Sequence, residues 1–212
     1  ATALEELLPL AEQGDARAQS FLGGMYALGT GVLQDYAEAV KWYRLAAEQG
    51  HAQAQFNLAS MYELGDGVSQ DYAEAAKRIR LSAEQGYAEA QYFIGGMYDI
   101  GADGAENDSE GMKWYRVAED NVEARKWYRL AAEQGHAQAQ FMLGSLYHLA
   151  NKGVVQSNVL SHMWFNIAAT NGEKEGAEWR DKSAVKMTST NISKAQSMAE
   201  ECMSSNFKNC GY

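Results

Sequence analysis

Two cysteines near the carboxyl end of this 212-residue chain have the plainest covalent chemistry. Cys202 and Cys210 are the only cysteines, and seven residues lie between them. That spacing suits neither a zinc site nor a redox-active dithiol. Cys202 falls near the end of the last predicted helix and Cys210 in the tail, so a returning chain could bring them together. A disulfide, which would favour an oxidising compartment, and a pair of inert thiols both remain open.

An acidic segment from Asp99 to Glu110 places carboxylates at spacings that partly match a calcium-binding EF-hand loop. Its third position is Gly101 rather than a ligand, and Glu106 occupies a position that is normally apolar. Gly101 is also explained by a repeated turn. We therefore interpret the segment as an acidic loop facing solvent, and we expect neither a metal nor another cofactor.

Nucleophilic catalysis has little support in the sequence. Ser183 and Lys186 match the Ser-x-x-Lys pattern of β-lactamase-type enzymes, but the companion Ser-Asp-Asn and Lys-Thr-Gly motifs are absent. Residues 205–208 match the same short pattern, which shows how unspecific it is. The histidines have no ligand or triad spacing: His51, His136, His148 and His162. We predict that the chain is not an enzyme.

Charge and hydropathy narrow the range of partners. The chain has 28 acidic and 18 basic residues and a formal charge of −10. Binding to nucleic acid needs clustered lysine and arginine, so we expect no nucleic acid partner. No run approaches the ~18 apolar residues that span a bilayer, so we expect no membrane insertion. The chain begins Ala1-Thr2-Ala3, which fits either a mature exported form or a trimmed segment.

A short motif that recurs along the chain reveals an internal repeat. The sequence Ala-Glu-Gln-Gly ends at four glycines, of which the first three are 36 residues apart: Gly14, Gly50, Gly86 and Gly135. Each copy is followed by an Ala-Gln pair, then by an aliphatic residue with a small neighbour, and then by a tyrosine. Repeats of this length indicate a stacked architecture, because one unit cannot bury its own apolar face.

Each repeat reads as helix, turn and helix. In the second copy Ala54, Leu58 and Tyr62 lie four residues apart and share one helical face. Gly65 and Gly67 then interrupt the pattern, and Asp71 is a good N-cap for the next helix. Asp35 has the same role in the first copy. The pattern therefore predicts a series of helical hairpins.

The motif Gly50-x-Ala52-x-Ala54-Gln55-x2-Leu58-Ala59-x-Met61-Tyr62-x2-Gly65-x-Gly67, together with Trp42-Tyr43-x2-Ala46-Ala47, strongly resembles the Sel1-like repeat, a relative of the tetratricopeptide repeat. The resemblance runs from about residue 10 to residue 172. It implies an all-α fold, a right-handed α/α superhelical solenoid of helix-turn-helix repeats. Several secreted bacterial members staple their helices with cysteine pairs at similar spacing, so the resemblance also implies a Cys202–Cys210 disulfide.

We predict one repeat domain over residues 1–212. Its repeats cover about 11–46, 47–82, 83–119 and 135–171, with an irregular helix at 120–134 and a degenerate cap at 172–212. The irregularity arises because Trp114-Tyr115 is followed only 13 residues later by Trp127-Tyr128, which places two second-type helices in succession. Residues 126–141 are also identical to residues 41–56, which indicates an internal duplication. Residues 107–134 should form one long helix or bend near Asp120. Within the cap, Met187 to Thr190 reads as a break between two helices.

The concave face of the solenoid is the predicted binding surface. In the tetratricopeptide repeat, fixed offsets of each first helix line that face, and transferring them implies a set of contact residues. The set is Arg17, Gln53, Phe56, Glu63, Glu89, Tyr92, Asp99, Gln138, Phe141 and His148. Exposed aromatic groups beside acids and amides suit a peptide partner. The alternative is that Phe56 and Phe141 pack between repeats.

The resulting prediction is a monomeric scaffold or adaptor that binds a protein or peptide segment. The family resemblance implies a bacterial periplasmic or secreted protein, with a cytoplasmic location as the alternative. The acidic field favours a basic or neutral partner. Two other functions stay open: an envelope enzyme of β-lactamase-like or cell-wall-related type, and a structural spacer or homo-oligomer.

Overall fold

The computed structural model describes residues 3–100, 121–149, 156–208 and 210, and these residues form helices and connections with no strand. The helices are α1 Ala3–Glu12, α2 Ala16–Leu28, α3 Tyr36–Glu48, α4 Ala52–Leu64, α5 Tyr72–Glu84, α6 Ala88–Ile100, α7 Asn121–Ala132, α8 Ala137–Leu149, α9 Asn158–Thr170, α10 Gly176–Ala184 and α11 Ser189–Ser204. The all-helical prediction is confirmed. Among the described residues, 3–90 belong to a first compact unit and the remainder to a second.

Side chains at the helix starts accept hydrogen bonds from the free backbone N–H groups of the first turn. Asp35 accepts hydrogen bonds from Ala37 and Glu38, and Asp71 accepts one from Glu74, which confirms both predicted N-caps. His51 does the same through Nδ1, which lies 3.2 Å from the backbone nitrogen of Ala54. These caps fix where each helix begins.

Glycines end the first helices and allow adjacent repeats to approach closely. Gly29 and Gly65 are C-caps with φ of 69° and 78°, in the left-handed region that glycine adopts without strain. Gly67 also has a left-handed φ, and a Cβ placed on it would lie 2.3 Å from the carbonyl carbon of Tyr36. The loop after α4 therefore lies directly against the start of α3, where a side chain would not fit.

A ladder of buried glutamines joins successive helices in the first unit. Gln19 of α2 donates to the carbonyl of Ala11 at 3.0 Å and accepts a hydrogen bond from Gln49 at 2.7 Å. One repeat later, Gln55 donates to Ala47 and accepts from Gln85 at 2.6 Å. The amide nitrogen of each buried glutamine thus donates to a carbonyl at the end of the preceding helix, and its amide oxygen accepts from another glutamine. Burial of the amide is tolerated because both of its polar atoms have partners.

Glycine and an aromatic ring pair across three of the helical hairpins. A Cβ built on Gly23 would lie 2.5 Å from the Tyr43 ring, and one on Gly144 would lie 2.6 Å from the Phe165 ring. Glycine is required there because the ring occupies the space that a methyl group would need. In the second repeat the equivalent positions hold Ala59 and Ile79, which are both buried. In this repeat the first helix carries alanine instead of glycine, and the second helix carries isoleucine, which is smaller than tyrosine.

The helix predicted as irregular at 120–134 packs on α6 within the second unit. A Cβ on Gly95 would lie 2.5 Å from the Tyr128 ring, which is the same relation that Gly23 has to Tyr43. Gln134 also donates to Gln91 at 2.8 Å, as Gln49 does to Gln19. The described α7 thus occupies the place of a regular second helix. Residues 101–120, with the predicted long helix or bend before Asn121, lie outside the described residues.

The carboxyl-terminal helices pack on α9 and end in a covalent link. Both α10 and α11 contact α9, and Thr188 caps α11 by accepting a hydrogen bond from the backbone of Asn191, so the predicted break is confirmed. Cys202 and Cys210, each at most 2% exposed, form a disulfide. The predicted disulfide is confirmed.

Candidate functional site

A groove of about 720 Å³ lies between α2 and α4 in the first unit, with Tyr43 of α3 at its floor. This volume falls within the range of about 300–1,000 Å³ that is typical of small-molecule and cofactor sites. The residues that line it are Arg17, Ser20, Phe21, Gly24, Met25, Ala27, Leu28, Thr30, Tyr43, His51, Gln53, Asn57, Ser60 and Met61.

The groove has two different ends because α2 and α4 run in the same direction. Hydrogen bonds join Gln19 to Gln49 and Tyr26 to Asp35, so α2 and α3 are antiparallel. Antiparallel pairing of α3 with α4 then returns α4 to the direction of α2. The amino-terminal ends of both helices lie at one end of the groove, and their carboxyl-terminal ends lie at the other.

The middle and the carboxyl-terminal end of the groove are mainly apolar and open to solvent. Phe21 is 61% exposed and Leu28 is 78% exposed, although both line the groove. The buried residues Met25 and Met61 also line the groove, and methionine adapts readily to partners of different shape. Exposed apolar side chains along a concave surface are typical of an interaction site.

The amino-terminal end of the groove carries Arg17, His51 and Gln53. Burial lowers the pKa of His51, the positive charge of Arg17 lowers it further, and Asp15 acts in the opposite direction. His51 is therefore neutral at pH 7. Its Nδ1 accepts the Ala54 N–H, so its Nε2 carries the proton and is a hydrogen-bond donor.

Polar groups at the floor of the groove have partners within the protein. Burial raises the pKa of the Tyr43 hydroxyl, and a hydrogen bond from Asn57 opposes that rise. Ser60 directs its hydroxyl to the carbonyl of Phe56 at 3.5 Å. These groups line the groove but are already engaged with the protein, so most of the free polar capacity lies at the Arg17 end.

The groove exists because the first repeat lacks an aromatic pair that the next repeat has. Phe56 packs against Tyr87 with ring centroids 5.5 Å apart. One repeat earlier, the positions equivalent to these two residues are Ser20 and His51, and both line the groove. A serine leaves empty the space that a phenylalanine ring fills in the second repeat.

The predicted contact residues are distributed over several environments. Arg17 and Gln53 both line the groove, whereas Glu89 and Gln138 are exposed elsewhere. Glu63 is half-buried, and burial raises the pKa of its carboxyl. The side chain of Asp99 lies outside the described residues, as does the acidic segment up to Glu110.

The predicted aromatic residues contact other rings between repeats. Tyr92 stacks on His136 with centroids 4.8 Å apart. Phe141 lies 5.2 Å from Phe165 and 6.5 Å from Trp179, and His148 lies 5.8 Å from Trp179. Their role in binding stays a prediction, because packing explains these contacts without a partner.

Phe21 and Leu28 were not among the predicted contact residues. Phe21 follows Ser20, which is the position equivalent to the predicted Phe56, so the transferred offset passes over Phe21. Leu28 has equivalents at Leu64 and Leu149, which are 66% and 59% exposed. The recurrence of a leucine at the end of three of the four first helices was the signal available in the sequence.

The structure also bears on the nucleophile, metal-binding and membrane hypotheses considered for the sequence. Ser183 is 2% exposed and donates its hydroxyl hydrogen bond to the carbonyl of Arg180 at 2.6 Å, which does not suit a nucleophile. The described residues contain no group of three or more His, Cys, Asp or Glu side chains that could hold a metal ion. In the same part of the chain, no helix is long and apolar enough to cross a membrane.

Comparisons with known proteins agree with the repeat structure. The family model for the Sel1 repeat matches residues 16–51, 52–87, 88–121, 116–136 and 137–173. A Sel1 repeat protein from Oxalobacter formigenes has a solved structure that is 34% identical, with a TM-score of 0.72. The match covers 83% of this chain and 47% of that protein, so this chain spans just under half of its length. This likeness confirms the predicted helical-repeat solenoid.

Two other solved structures are more distant. The c5321 protein, a protective antigen of uropathogenic Escherichia coli strains with an SLR fold, is 25% identical with a TM-score of 0.41, covering 96% of this chain and 65% of that one. Immunity protein Pa5087 from Pseudomonas aeruginosa is 20% identical with a TM-score of 0.42, covering 92% and 84%. No curated protein matches the sequence significantly. Because the family model matches most of the chain in consecutive repeats, the protein belongs to the Sel1 repeat family.

Proposed function

We propose that this chain is a non-catalytic interaction scaffold that holds an extended segment of a partner protein in the groove between α2 and α4. Sel1 repeat proteins are generally protein-interaction scaffolds, and their solenoids are typically non-catalytic. The proposal adds a location, because it assigns binding to one groove of the first unit rather than to the whole series of first helices.

The observation that carries the proposal is the unfilled space at Ser20. In the second repeat the rings of Phe56 and Tyr87 fill the equivalent space. At Ser20 and His51 the gap stays open and is lined by the exposed side chains of Phe21 and Leu28. Covering these two side chains would remove apolar surface from water, which favours association.

We also propose that the protein acts in an oxidising compartment of a bacterial cell, in the periplasm or after secretion. The Cys202–Cys210 disulfide supports this location, because disulfides persist mainly where thiols are oxidised. The proposed site includes Arg17 and Gln53, two residues of the set predicted for the concave face.

The test first selects a peptide ligand and then fills the groove with the phenylalanine that the second repeat has at the equivalent position. A phage library of random 12-residue peptides is selected on the whole protein, and the affinity of a selected synthetic peptide is measured by titration calorimetry. Ser20→Phe copies the ring of Phe56 into the first repeat and should weaken binding more than tenfold. Circular dichroism of the variant should show unchanged helix content.

A matched pair of leucines controls for general surface hydrophobicity. Leu28 and Leu64 occupy equivalent repeat positions and are 78% and 66% exposed, but only Leu28 lines the groove. Leu28→Ala should weaken binding about fivefold to thirtyfold, as expected for an apolar contact worth roughly 1–2 kcal/mol. Leu64→Ala should leave the affinity unchanged. Equal losses in the two variants would contradict a site at the groove.

A further inference from the structure

Resting on the proposed function, we infer that the segment held in the groove is the carboxyl-terminal end of a partner chain. Its terminal carboxylate would bind Arg17, and its apolar side chains would lie between Phe21, Leu28 and Met61. The juxtaposition that carries this inference is a single positive charge at one end of a groove that is otherwise uncharged and mainly apolar.

The charge of the groove is opposite to the charge of the protein. The chain has a formal charge of −10, yet among the described residues that line the groove Arg17 alone is charged once His51 is neutral. Arg17 is exposed and makes no ion pair within the described part of the chain. The nearby carboxylate of Asp15 is engaged by the backbone N–H of Ala18 at 2.7 Å. A carboxylate from a ligand would therefore be the natural partner of Arg17.

The Arg17 end of the groove offers hydrogen-bond donors, and the nearest acid there, Asp15, is engaged as the N-cap of α2. The guanidinium of Arg17, the Nε2–H of His51 and the amide of Gln53 all lie there. Guanidinium groups bind carboxylates through two parallel hydrogen bonds, and such charge-assisted bonds are stronger than neutral ones. The chemistry of this end thus selects an anion with planar oxygens.

The dimensions of the groove fit a short extended peptide. Arg17 and Leu28 are eleven residues apart on α2, which corresponds to about 16 Å along the helix. An extended chain rises by about 3.3 Å per residue, so the groove accommodates roughly five residues. The carboxylate site lies at an end of the groove rather than in its middle. A terminal carboxylate suits that position better than an acidic side chain within a continuing segment.

The experiment uses defined peptides and the whole protein. The probes are fluorescein-labelled pentapeptide pools with randomised apolar residues, made with a free carboxyl terminus, with a terminal amide, or with a terminal amide and one internal glutamate. Fluorescence polarisation should show that the free-carboxylate pool binds about tenfold more tightly than the amidated pool, as expected when a charge-assisted hydrogen bond is lost.

Two arginine variants with the same change in net charge separate the local effect from the general one. Arg17→Gln should abolish the preference for the free carboxylate, whereas Arg80→Gln, on the exposed surface of α5 and outside the groove, should preserve it. Both substitutions lie at exposed positions, so neither is expected to disturb folding. The preference should also fall as the salt concentration rises.

The outcomes distinguish this inference from the proposed function. Equal binding of the carboxylate and amide pools, with the affinity still lost in Ser20→Phe, would overturn the carboxylate inference and leave the groove as a peptide site. Tightest binding by the internal-glutamate pool would overturn the terminal assignment. Failure of every pool to bind at millimolar concentration would overturn the inference, and the phage selection decides the proposed function separately.

Discussion

Adjacent glycines of α2 should respond to the same substitution with opposite signs. A Cβ on Gly23 would lie 2.5 Å from Cδ1 of Tyr43, inside the contact distance of two carbons, whereas one on Gly24 would lie 3.6 Å from the Tyr43 hydroxyl oxygen. Both residues are in the middle of the same helix. Gly23→Ala should therefore destabilise the protein, and Gly24→Ala should stabilise it.

The magnitude follows from two opposing terms. Replacing glycine by alanine within a helix stabilises by roughly 0.5–1 kcal/mol, and this gain applies to both positions. At Gly23 the new methyl group also displaces the ring of Tyr43, which is 4% exposed and cannot move into solvent without loss of packing. Overpacking of this kind costs about 1–3 kcal/mol. The expected net result is a loss of about 1–2 kcal/mol for Gly23→Ala.

A second substitution should recover part of the lost stability, because the chain already contains a compatible pair of residues at the equivalent positions. At the equivalent positions of the second repeat, alanine and isoleucine replace glycine and tyrosine, at Ala59 and Ile79. The double variant Gly23→Ala with Tyr43→Ile copies this pair into the first repeat. Residues in direct contact show coupling energies of about 0.5–3 kcal/mol, so the double variant should be more stable than the sum of the two single changes predicts.

The assay is urea unfolding followed by circular dichroism, with the midpoint and the slope fitted for each variant. Repeat proteins can unfold in more than one step, so changes in the first transition are compared when two are present. The reasoning would be refuted if Gly23→Ala were as stable as Gly24→Ala. It would also fail if the double variant showed no coupling.

Two further perturbations probe the turns and the carboxyl terminus. Gly67→Ala should cost about 2 kcal/mol or more in urea unfolding, since it adds left-handed strain of roughly 1–2 kcal/mol to a Cβ contact of 2.3 Å with Tyr36. Gly14→Ala, with a φ of 97° and no neighbour within 4 Å, should lose only the strain component, and equal losses would contradict the close approach. Removing the Cys202–Cys210 link by replacing both cysteines with serine should lower stability by roughly 2.5 kcal/mol, from the closure entropy of a loop of about nine residues. Intact mass before and after reduction should differ by two hydrogens, and two free thiols in the untreated protein would contradict the link.

Features set by neighbours in the sequence were predicted well. The caps at Asp35 and Asp71 and the break before Thr188 depend on a side chain and a backbone group three residues or fewer apart. Hairpin periodicity and glycine turns are equally local. The pairing of Cys202 with Cys210 is close in sequence as well, although the family resemblance, rather than the spacing, favoured it.

Features set by contacts between repeats needed the tertiary structure. The groove depends on the absence of a ring at Ser20 and on its distance from His51, 31 positions along the chain. The packing of Tyr128 on Gly95 likewise joins segments that residues 101–120 separate in the sequence. No local pattern indicates whether the segment around Trp114-Tyr115 or the one around Trp127-Tyr128 packs on α6, because both carry a Trp-Tyr pair.

The duplicated segment separates what the local sequence determines from what contacts between repeats determine. Residues 41–56 and 126–141 have the same sequence, and in both copies the following helix begins at the equivalent alanine, Ala52 or Ala137, with the same histidine cap. Yet Phe56 lies against Tyr87, while Phe141 lies against Phe165 and Trp179. Identical residues have different surroundings because helix formation depends on near neighbours, whereas packing and grooves depend on which residues the adjacent repeat provides.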